Sequence, residues 1–332
     1  MTHLAIIGAG AWGTALSRVL SPRFETVTLW VYETDLAARM AASRFNDAYL
    51  PGFRLADNIL ATSSLETALS RADLVVGVMP SPVARPLYTR IARILQPGVP
   101  LVSATKGLEA GTLLRISQVI AEVTGDSARV AALSGPSFAL EVAAGSPTAL
   151  VVAAGHADLA RELQAAFSGP TLRVYASEDL AGVEIGGALK NVIAIGAGIC
   201  DGLRLGHNAT AALITRGLAE LTRLAVAMGG KADTLAGLAG LGDLVLTCTG
   251  DLSRNRQVGL KLASGLQLSG ILSSTTAVAE GVNTTAVARE LAFRHGVEMP
   301  IVEEMHAVLN LGRPPAEAIR RLMSRSLRSE SV

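Results

Sequence analysis

The sequence predicts an α/β fold, with a doubly wound sheet in the first half of the chain and helices alone in the second. Three observations carry this expectation. Short apolar runs suited to buried strands alternate with helical periodicity from residue 4 to residue 175. A glycine-rich turn, Gly8-Ala9-Gly10-Ala11-Trp12-Gly13, stands directly between the first strand and the first helix. Beyond residue 178 the strand-type runs fade, and apolar residues recur at three-and-four spacing.

Length and composition set the frame. At 332 residues the chain exceeds one compact core, which predicts two domains, residues 1–178 and 179–332. Half the residues are hydrophobic and 17% are charged, a balance that suits a large interior and a subunit interface and argues against disorder. The net charge of +1 gives no reason to expect a nucleic acid or an anionic membrane as partner. The two cysteines, Cys200 and Cys248, match no metal or disulfide spacing and point to a reducing cytoplasm. The five histidines form no spaced metal cluster. The apolar run at 192–200 is broken by glycines and falls short of the roughly 20 residues that span a bilayer, so no membrane insertion is expected. The first 16 residues lack a basic leader and do not read as a signal peptide.

The elements follow in order. Residues 4–7 predict a buried strand and residues 14–20 a helix, with G-x-G-x-x-G between them. In that setting Gly8 permits the tight turn, Gly10 lets a pyrophosphate approach the backbone, and Gly13 lets helix pack closely on strand, the helix N-terminus facing the phosphates. The first half therefore reads as a dinucleotide-binding unit, the competing reading being a tight structural turn with no ligand. A second strand at 27–31 ends before Tyr32 and Glu33. An acidic residue there favours the free 2′-hydroxyl of NAD over the 2′-phosphate of NADP. Arg39 and Arg44 follow in the next helix, and either one folding back would reverse that preference.

Further strands are predicted at 74–79, 100–103, 130–133, 149–153 and 172–175, with helices at 113–124 and 156–167 and another opened by Ser81 as cap and Pro82 as first residue. In such sheets ligands lie beyond the carboxyl ends of the strands. That directs attention to Ala104-Thr105-Lys106-Gly107-Leu108-Glu109 and to Ser134-Gly135-Pro136-Ser137-Phe138-Ala139. Lys106 is placed to polarise a carbonyl or hold an anion, unless it is a solvated loop lysine. The backbone around Gly135 and the Ser137 hydroxyl are candidates to line the pocket, with Ser137 also able to cap the helix running toward Ala144.

Residues 182–203 form the apolar, small-residue stretch on which the second half centres, and Lys190 and Asn191 sit at its middle. Burying a lone ammonium disfavours its charge and lowers its pKa, which makes Lys190 a candidate acid/base group. The competing reading is a lysine that snorkels to solvent. Helical patterns follow at 210–228, 284–295 and 300–311. Between them, Asp243 stands among apolar neighbours after a glycine-rich turn, where a carboxylate needs a cationic partner, and Lys190 is the partner expected. Arg254 offers a fork of donors to a phosphate or carboxylate, with Asn255 beside it and Ser253 as helix cap. Cys248 has no histidine beside it in sequence and reads as core.

Taken together, these motifs resemble the bacterial NAD(P)-dependent glycerol-3-phosphate dehydrogenases. The glycine loop through Leu16, the 104–109 and 134–139 loops, Lys190-Asn191-Val192-Ile193-Ala194, Gly240-Leu241-Gly242-Asp243-Leu244, Ser253-Arg254-Asn255, Glu280-Gly281 and Val297-Glu298-Met299-Pro300 carry the resemblance over essentially the whole chain. It implies a Rossmann domain, an all-helical C-terminal domain like that of 6-phosphogluconate dehydrogenase, a homodimer, a cytoplasmic setting, and supply of sn-glycerol 3-phosphate for phospholipids. It also implies that Lys190 is the proton donor and acceptor, with Lys106 and Asp243 assisting. Lys106, Gly135, Ser137, Lys190, Asn191, Asp243, Thr247, Ser253, Arg254 and Asn255 would line the substrate site. Gly8, Gly10, Ala11, Trp12, Gly13, Tyr32, Glu33, Lys106, Ala139, Arg254, Val278 and Glu280 would lie along NAD or NADP.

Two departures stand out. Tyr32 and Glu33 occupy the place where many members carry arginine or histidine, and Ala11 stands where many carry serine or threonine. Two other readings share the architecture. A dehydrogenase acting on a 2- or 3-hydroxy acid would aim its cation at a carboxylate, and a module sensing NAD(P)H without chemistry would have no use for Lys106, Lys190 and Asp243 together.

Overall fold

A computed structural model describes residues 1–273, 279–327 and 329–330. The first half runs β1 (His3–Ile7), α1 (Ala11–Leu20), β2 (Thr26–Trp30), α2 (Thr34–Ser43), β3 (Phe45–Asn46), β4 (Leu50–Arg54), β5 (Ile59–Thr62), α3 (Leu65–Leu69), β6 (Leu74–Gly77), α4 (Ala84–Ala92), β7 (Leu101–Ser103), α5 (Ile116–Thr124), β8 (Val130–Ser134), α6 (Ala139–Ala143), β9 (Thr148–Ala154), α7 (Ala157–Phe167) and β10 (Leu172–Ser177). The second half is helical: α8 (Leu180–Gly202), α9 (His207–Ala227), α10 (Ala232–Leu235), α11 (Asp243–Thr249), α12 (Arg254–Ala263), α13 (Leu268–Ser273), α14 (Glu280–Arg294), α15 (Pro300–Asn310) and α16 (Pro315–Met323).

Eight strands form one sheet in the order β10-β9-β8-β7-β6-β1-β2-β5. The inner strands β1, β6, β7 and β8 are buried along nearly their whole length, which is why they read as unbroken apolar runs rather than as alternation. β1 pairs in parallel with β2 on one side and β6 on the other, so the chain reverses its direction of travel across the sheet at β1. The ends of β1 and β6 thus frame the crevice where such sheets take ligands. Apolar clusters fill both faces, one around Leu16, Leu29 and Phe167, the other around Tyr88, Ile91 and Ile120.

Several expectations are corrected in detail. The doubly wound sheet is mixed at one edge, where β9 runs antiparallel to β8 with Ala132 opposite Ala153. Strand-helix alternation reads the same in either direction, and α6 is too short to make a full crossover. The helix expected from 113 begins at Ile116, because Leu113 takes a left-handed φ of 65° after the Gly111-Thr112 turn. Ser81 does not open a helix: it begins a single 3₁₀ turn, Ser81–Val83, with Pro80 in the cap position. The edge strand β5 and the small β3–β4 hairpin had no clear sequence signal.

The glycines of 192–200 do not interrupt anything either. α8 runs unbroken for 23 residues, and every residue from Ala181 to Cys200 is buried. A Cβ on Gly198 would lie 2.0 Å from the Arg256 carbonyl oxygen, and one on Gly259 would lie 2.0 Å from that of Ile195. α8 and α12 therefore touch backbone to backbone, and glycine is what lets them. Among the described residues α8 is the one single helix long and apolar enough to cross a membrane, and nearly all of it is enclosed by α9, α11, α12, α14 and α15.

Candidate active site

At the end of β1 the backbone is shaped by contacts a side chain would destroy. Gly8 has a φ of +120°, and a Cβ there would meet the Val78 carbonyl oxygen at 2.1 Å. A Cβ on Gly13 would stand 1.8 Å from the Gly8 oxygen. A Cβ on Gly10, by contrast, would meet nothing within 4 Å. The third glycine is needed for packing, the second leaves open space over the first turn of α1, and this pattern suits a pyrophosphate. Ala11, Trp12 and Ala139 pack against one small apolar cluster, Ala15, Leu50, Val142 and Ala143, and the buried Trp12 indole Nε1 has no partner among the described residues. The residues present fit a dinucleotide.

Beyond β2, Tyr32 is 76% exposed and stands edge-on to Trp30. Glu33 is exposed and accepts a hydrogen bond of 2.6 Å from the Tyr49 hydroxyl. Neither arginine of α2 folds back: Arg39 faces Asp47 at 3.5 Å, and Arg44 donates to the carbonyls of Ala56 and Ile59.

Across the ends of β7 and β8 the two halves of the chain meet. Lys106 Nζ, in the loop after β7, donates to the Gly135 carbonyl at 2.9 Å, to Ser137 Oγ at 3.4 Å and to Asp243 Oδ2 at 2.8 Å. Lys190 Nζ, from α8, donates to Asp243 Oδ1 and, at 2.8 Å, to Thr247 Oγ1. The expected Lys190–Asp243 pair is present, and Asp243 holds a second ammonium as well. Thr247 donates in turn to the Asp243 backbone carbonyl at 2.6 Å, one helical turn back. Asp243 is delivered here by a π-helical turn, Leu238–Gly242, in which a Cβ on Gly240 would lie 2.1 Å from the Leu235 oxygen. α8 itself passes the sheet so closely that a Cβ on Gly187 would lie 2.5 Å from Ser134 Oγ.

The electrostatics follow from burial. The side chain of Asp243 is 1% exposed, that of Lys190 7% and that of Lys106 19%. Burial pushes the Lys190 ammonium down to about 7, the Asp243 carboxylate holding it up and the Lys106 charge pressing it further down. A lysine so poised exchanges a proton near neutrality, and the carboxylate between two cations is held in place from both sides. Ser137 does not cap a helix: Phe138 occupies the cap position of α6, and the Ser137 hydroxyl instead donates to Gly135 O at 3.0 Å. Gly135, at a φ of +130°, turns its carbonyl toward Lys106.

The remaining predicted residues divide. Ser253 caps α12 by accepting from Arg256 N. Asn255 is enclosed, donating to Asn191 Oδ1 at 2.9 Å and accepting from Gly281 N at 3.0 Å, so Asn191 and Asn255 tie α8, α12 and α14 together. Arg254 is exposed and has no hydrogen bond among the described residues, which leaves its guanidinium available to an anion. Glu280 accepts from Ser81 N at 3.1 Å and Ser81 Oγ at 2.9 Å, and burial raises its carboxyl above the usual range. Val278 lies outside the described residues.

Sequence reasoning missed one buried charge on α8. Glu184 accepts from Arg115 Nη1 at 2.7 Å, Ser117 N at 2.8 Å and Ser117 Oγ at 2.5 Å, fastening α8 to the start of α5. A second ionisable residue in that apolar stretch was the available signal. It also missed Asn46 and Tyr49, which no motif marks.

Comparison with known proteins places these features in a family. Residues 3–160 match the family described as NAD-dependent glycerol-3-phosphate dehydrogenase N-terminus, and residues 179–320 match its C-terminus. A glycerol-3-phosphate dehydrogenase [NAD(P)+] of Koribacter versatilis is 54% identical over 99% of both chains. One of Geobacter sulfurreducens is 52% identical over 99% of this chain and 98% of its own. The crystal structure of glycerol-3-phosphate dehydrogenase from Coxiella burnetii superposes with a TM-score of 0.93 at 40% identity, covering 98% of this chain and 99% of that one.

Proposed function

The chain belongs to the NAD-dependent glycerol-3-phosphate dehydrogenase family and is an NAD(P)-dependent oxidoreductase, and from that premise we propose how its residues divide the work. The reaction is reversible hydride transfer between NAD(P)H and dihydroxyacetone phosphate, giving sn-glycerol 3-phosphate. When bound, the reduced nicotinamide supplies the hydride to C2 of the ketone. Lys190, as ammonium, gives its proton to the C2 oxygen as that oxygen gains charge, so that C=O becomes CH–OH and the lysine is left neutral. In the reverse direction the neutral lysine takes the hydroxyl proton.

Lys106 adds a second fixed cation beside the developing negative charge. Asp243 anchors both ammonium groups and Thr247 fixes the direction of the Lys190 Nζ. Arg254, exposed and without a hydrogen bond among the described residues, is the group that meets the phosphate, which orients C2 toward the hydride donor. Asn255 and Asn191 hold Arg254's helix against α8. The single observation behind this reading is Asp243 accepting from Lys106 and Lys190 together, one from a sheet loop and one from a buried helix.

We take residues 1–178 as the dinucleotide-binding unit and 179–332 as the substrate unit, since β10 ends at Ser177 and Asp179 caps α8 through Gly182 N at 2.8 Å. The family assignment further supports a cytoplasmic homodimer that supplies phospholipid synthesis and has no nucleic-acid partner. The test is loss of absorbance at the reduced nicotinamide band with dihydroxyacetone phosphate, run with NADH and with NADPH. Oxidation of neither, while both bind, would overturn the reading and move a hydroxy-acid substrate forward.

A further inference from the structure

The small hairpin β3–β4 stands outside the main sheet, yet it is wired to both ends of the dinucleotide crevice. Asn46, fully buried, donates from Nδ2 to the Ala9 carbonyl at 2.8 Å and to Thr14 Oγ1 at 2.8 Å. Ala9 lies between the first two glycines of the phosphate loop, so the hairpin is locked onto that loop. The same carboxamide accepts from Tyr49 N at 3.1 Å, which fixes the turn between β3 and β4. Tyr49 is thereby carried across to the end of β2, where its hydroxyl donates to Glu33 Oε1 at 2.6 Å. One buried asparagine thus sets the distance between the phosphate end of the crevice and the carboxylate at its adenosine end.

The cations nearby are engaged elsewhere. Asp47 draws Arg39 to itself at 3.5 Å. Arg44, at the left-handed end of α2 with a φ of 65°, gives its guanidinium to the carbonyls of Ala56 and Ile59. A 2′-phosphate placed beyond β2 would therefore face a carboxylate, with both α2 arginines engaged elsewhere. A 2′-hydroxyl would find an acceptor, because the Tyr49 bond uses Oε1 and Oε2 accepts no hydrogen bond from the described residues. That hydrogen bond to Glu33 also raises the Tyr49 hydroxyl above its ordinary pKa of 10.0.

We propose that Tyr49 is a specificity-determining residue, holding Glu33 as the acceptor for an unphosphorylated adenosine ribose so that this chain binds NADH in preference to NADPH. The proposal rests on the NAD(P) reading above and deepens it. Tyr49 acts through Glu33 and is a positioning residue: it selects by orienting an acceptor and by keeping a negative charge where a phosphate would have to go.

The experiment is equilibrium titration of the full chain with NADH and with NADPH in the absence of substrate, read by nicotinamide fluorescence. The wild-type chain is expected to bind NADH at least about tenfold more tightly, and Tyr49→Phe to lower that ratio about fivefold, mainly by weakening NADH, as loss of one charge-assisted hydrogen bond at an exposed site implies. Glu33→Gln should lower it further by strengthening NADPH. Tyr49 is exposed, so its variant should keep the wild-type melting temperature, which is measured alongside. A wild-type chain that binds NADPH as tightly as NADH, or a Tyr49→Phe ratio equal to wild type, would overturn the proposal. The ratio of the two affinities is read without turnover, so a chain that oxidises neither cofactor with dihydroxyacetone phosphate sinks the dehydrogenase reading and leaves this test standing.

Discussion

The two sides of the active site are built from different materials. On the sheet side, the features proposed to receive the cofactor are backbone: a loop with three glycines, a helix N-terminus and a strand end. On the helical side, the features proposed to act on the substrate are charged side chains, Lys190 and Asp243, sunk in apolar helices. A backbone site asks only for room, so it is sensitive to added atoms. A buried charge site depends on its partners, so it is sensitive to removed ones. The contrast teaches that the same kind of small substitution should fail in opposite ways on the two sides.

The largest effect should come from Lys190→Ala. Turnover is expected to fall about a thousandfold or more, as loss of a positioned proton donor implies, while the affinity for NADH in the absence of substrate stays within a factor of about two. A variant that retains wild-type turnover would remove Lys190 from the chemistry. Asp243→Asn should lower turnover somewhat less but damage the fold more, because two buried or half-buried ammonium groups lose their shared anion. A loss of about 3 kcal/mol in unfolding free energy is the expected scale for breaking such a pair. Urea denaturation of the two variants side by side separates the roles: Lys190→Ala leaves Asp243 its Lys106 partner and should unfold later than Asp243→Asn.

On the sheet side the paired test is Gly10→Ala against Gly13→Ala. The new methyl group of Gly13→Ala would meet the Gly8 oxygen at 1.8 Å, so the loop must move, and a loss of about 1–3 kcal/mol in stability is expected together with loss of cofactor binding. The methyl group of Gly10→Ala meets nothing within 4 Å. That variant should melt like wild type and yet bind NADH at least about tenfold more weakly, because the methyl group fills space reserved for the pyrophosphate. Unchanged affinity in Gly10→Ala would mean that the space over α1 is not the phosphate site.

How much of this was legible in the sequence follows the same division. Gly8, Gly10 and Gly13 were readable because their signal is local, a strand, a turn and a helix within residues 3–20. The Lys190–Asp243 pair was readable because two unlike charges in apolar surroundings need each other. That Lys106 shares Asp243 was not readable, since the loop after β7 and the start of α11 are brought together only by α8 passing the ends of β7 and β8. Ser81 and Ser137 looked like helix caps from composition, and both hydroxyls are instead spent on tertiary or loop partners, Glu280 and the Gly135 carbonyl. The direction of β9 was hidden because periodicity carries no sign. The glycines of α8 looked like breaks when they are the contact surface for α12, a fact that only the partner helix reveals.

The smallest expected effect, and the sharpest probe of the helical side, is the pH profile. Burial holds the Lys190 ammonium at about 7, well below the ordinary 10.5. Reduction of the ketone needs the charged form, so its rate should be flat below about pH 7 and fall about tenfold per unit above it. Oxidation of the alcohol needs the neutral amine, so its rate should rise up to about pH 7 and level off beyond. The neighbouring charges give the profile a second handle. Lys106 presses the Lys190 pKa down, so Lys106→Met should move the break to higher pH while lowering the plateau. A Lys106 remote from Lys190 would leave the break where it is, so an upward shift reads the Lys106 charge standing beside Lys190. A reduction rate that stays level to pH 9 in the wild-type chain would mean that the proton comes from elsewhere.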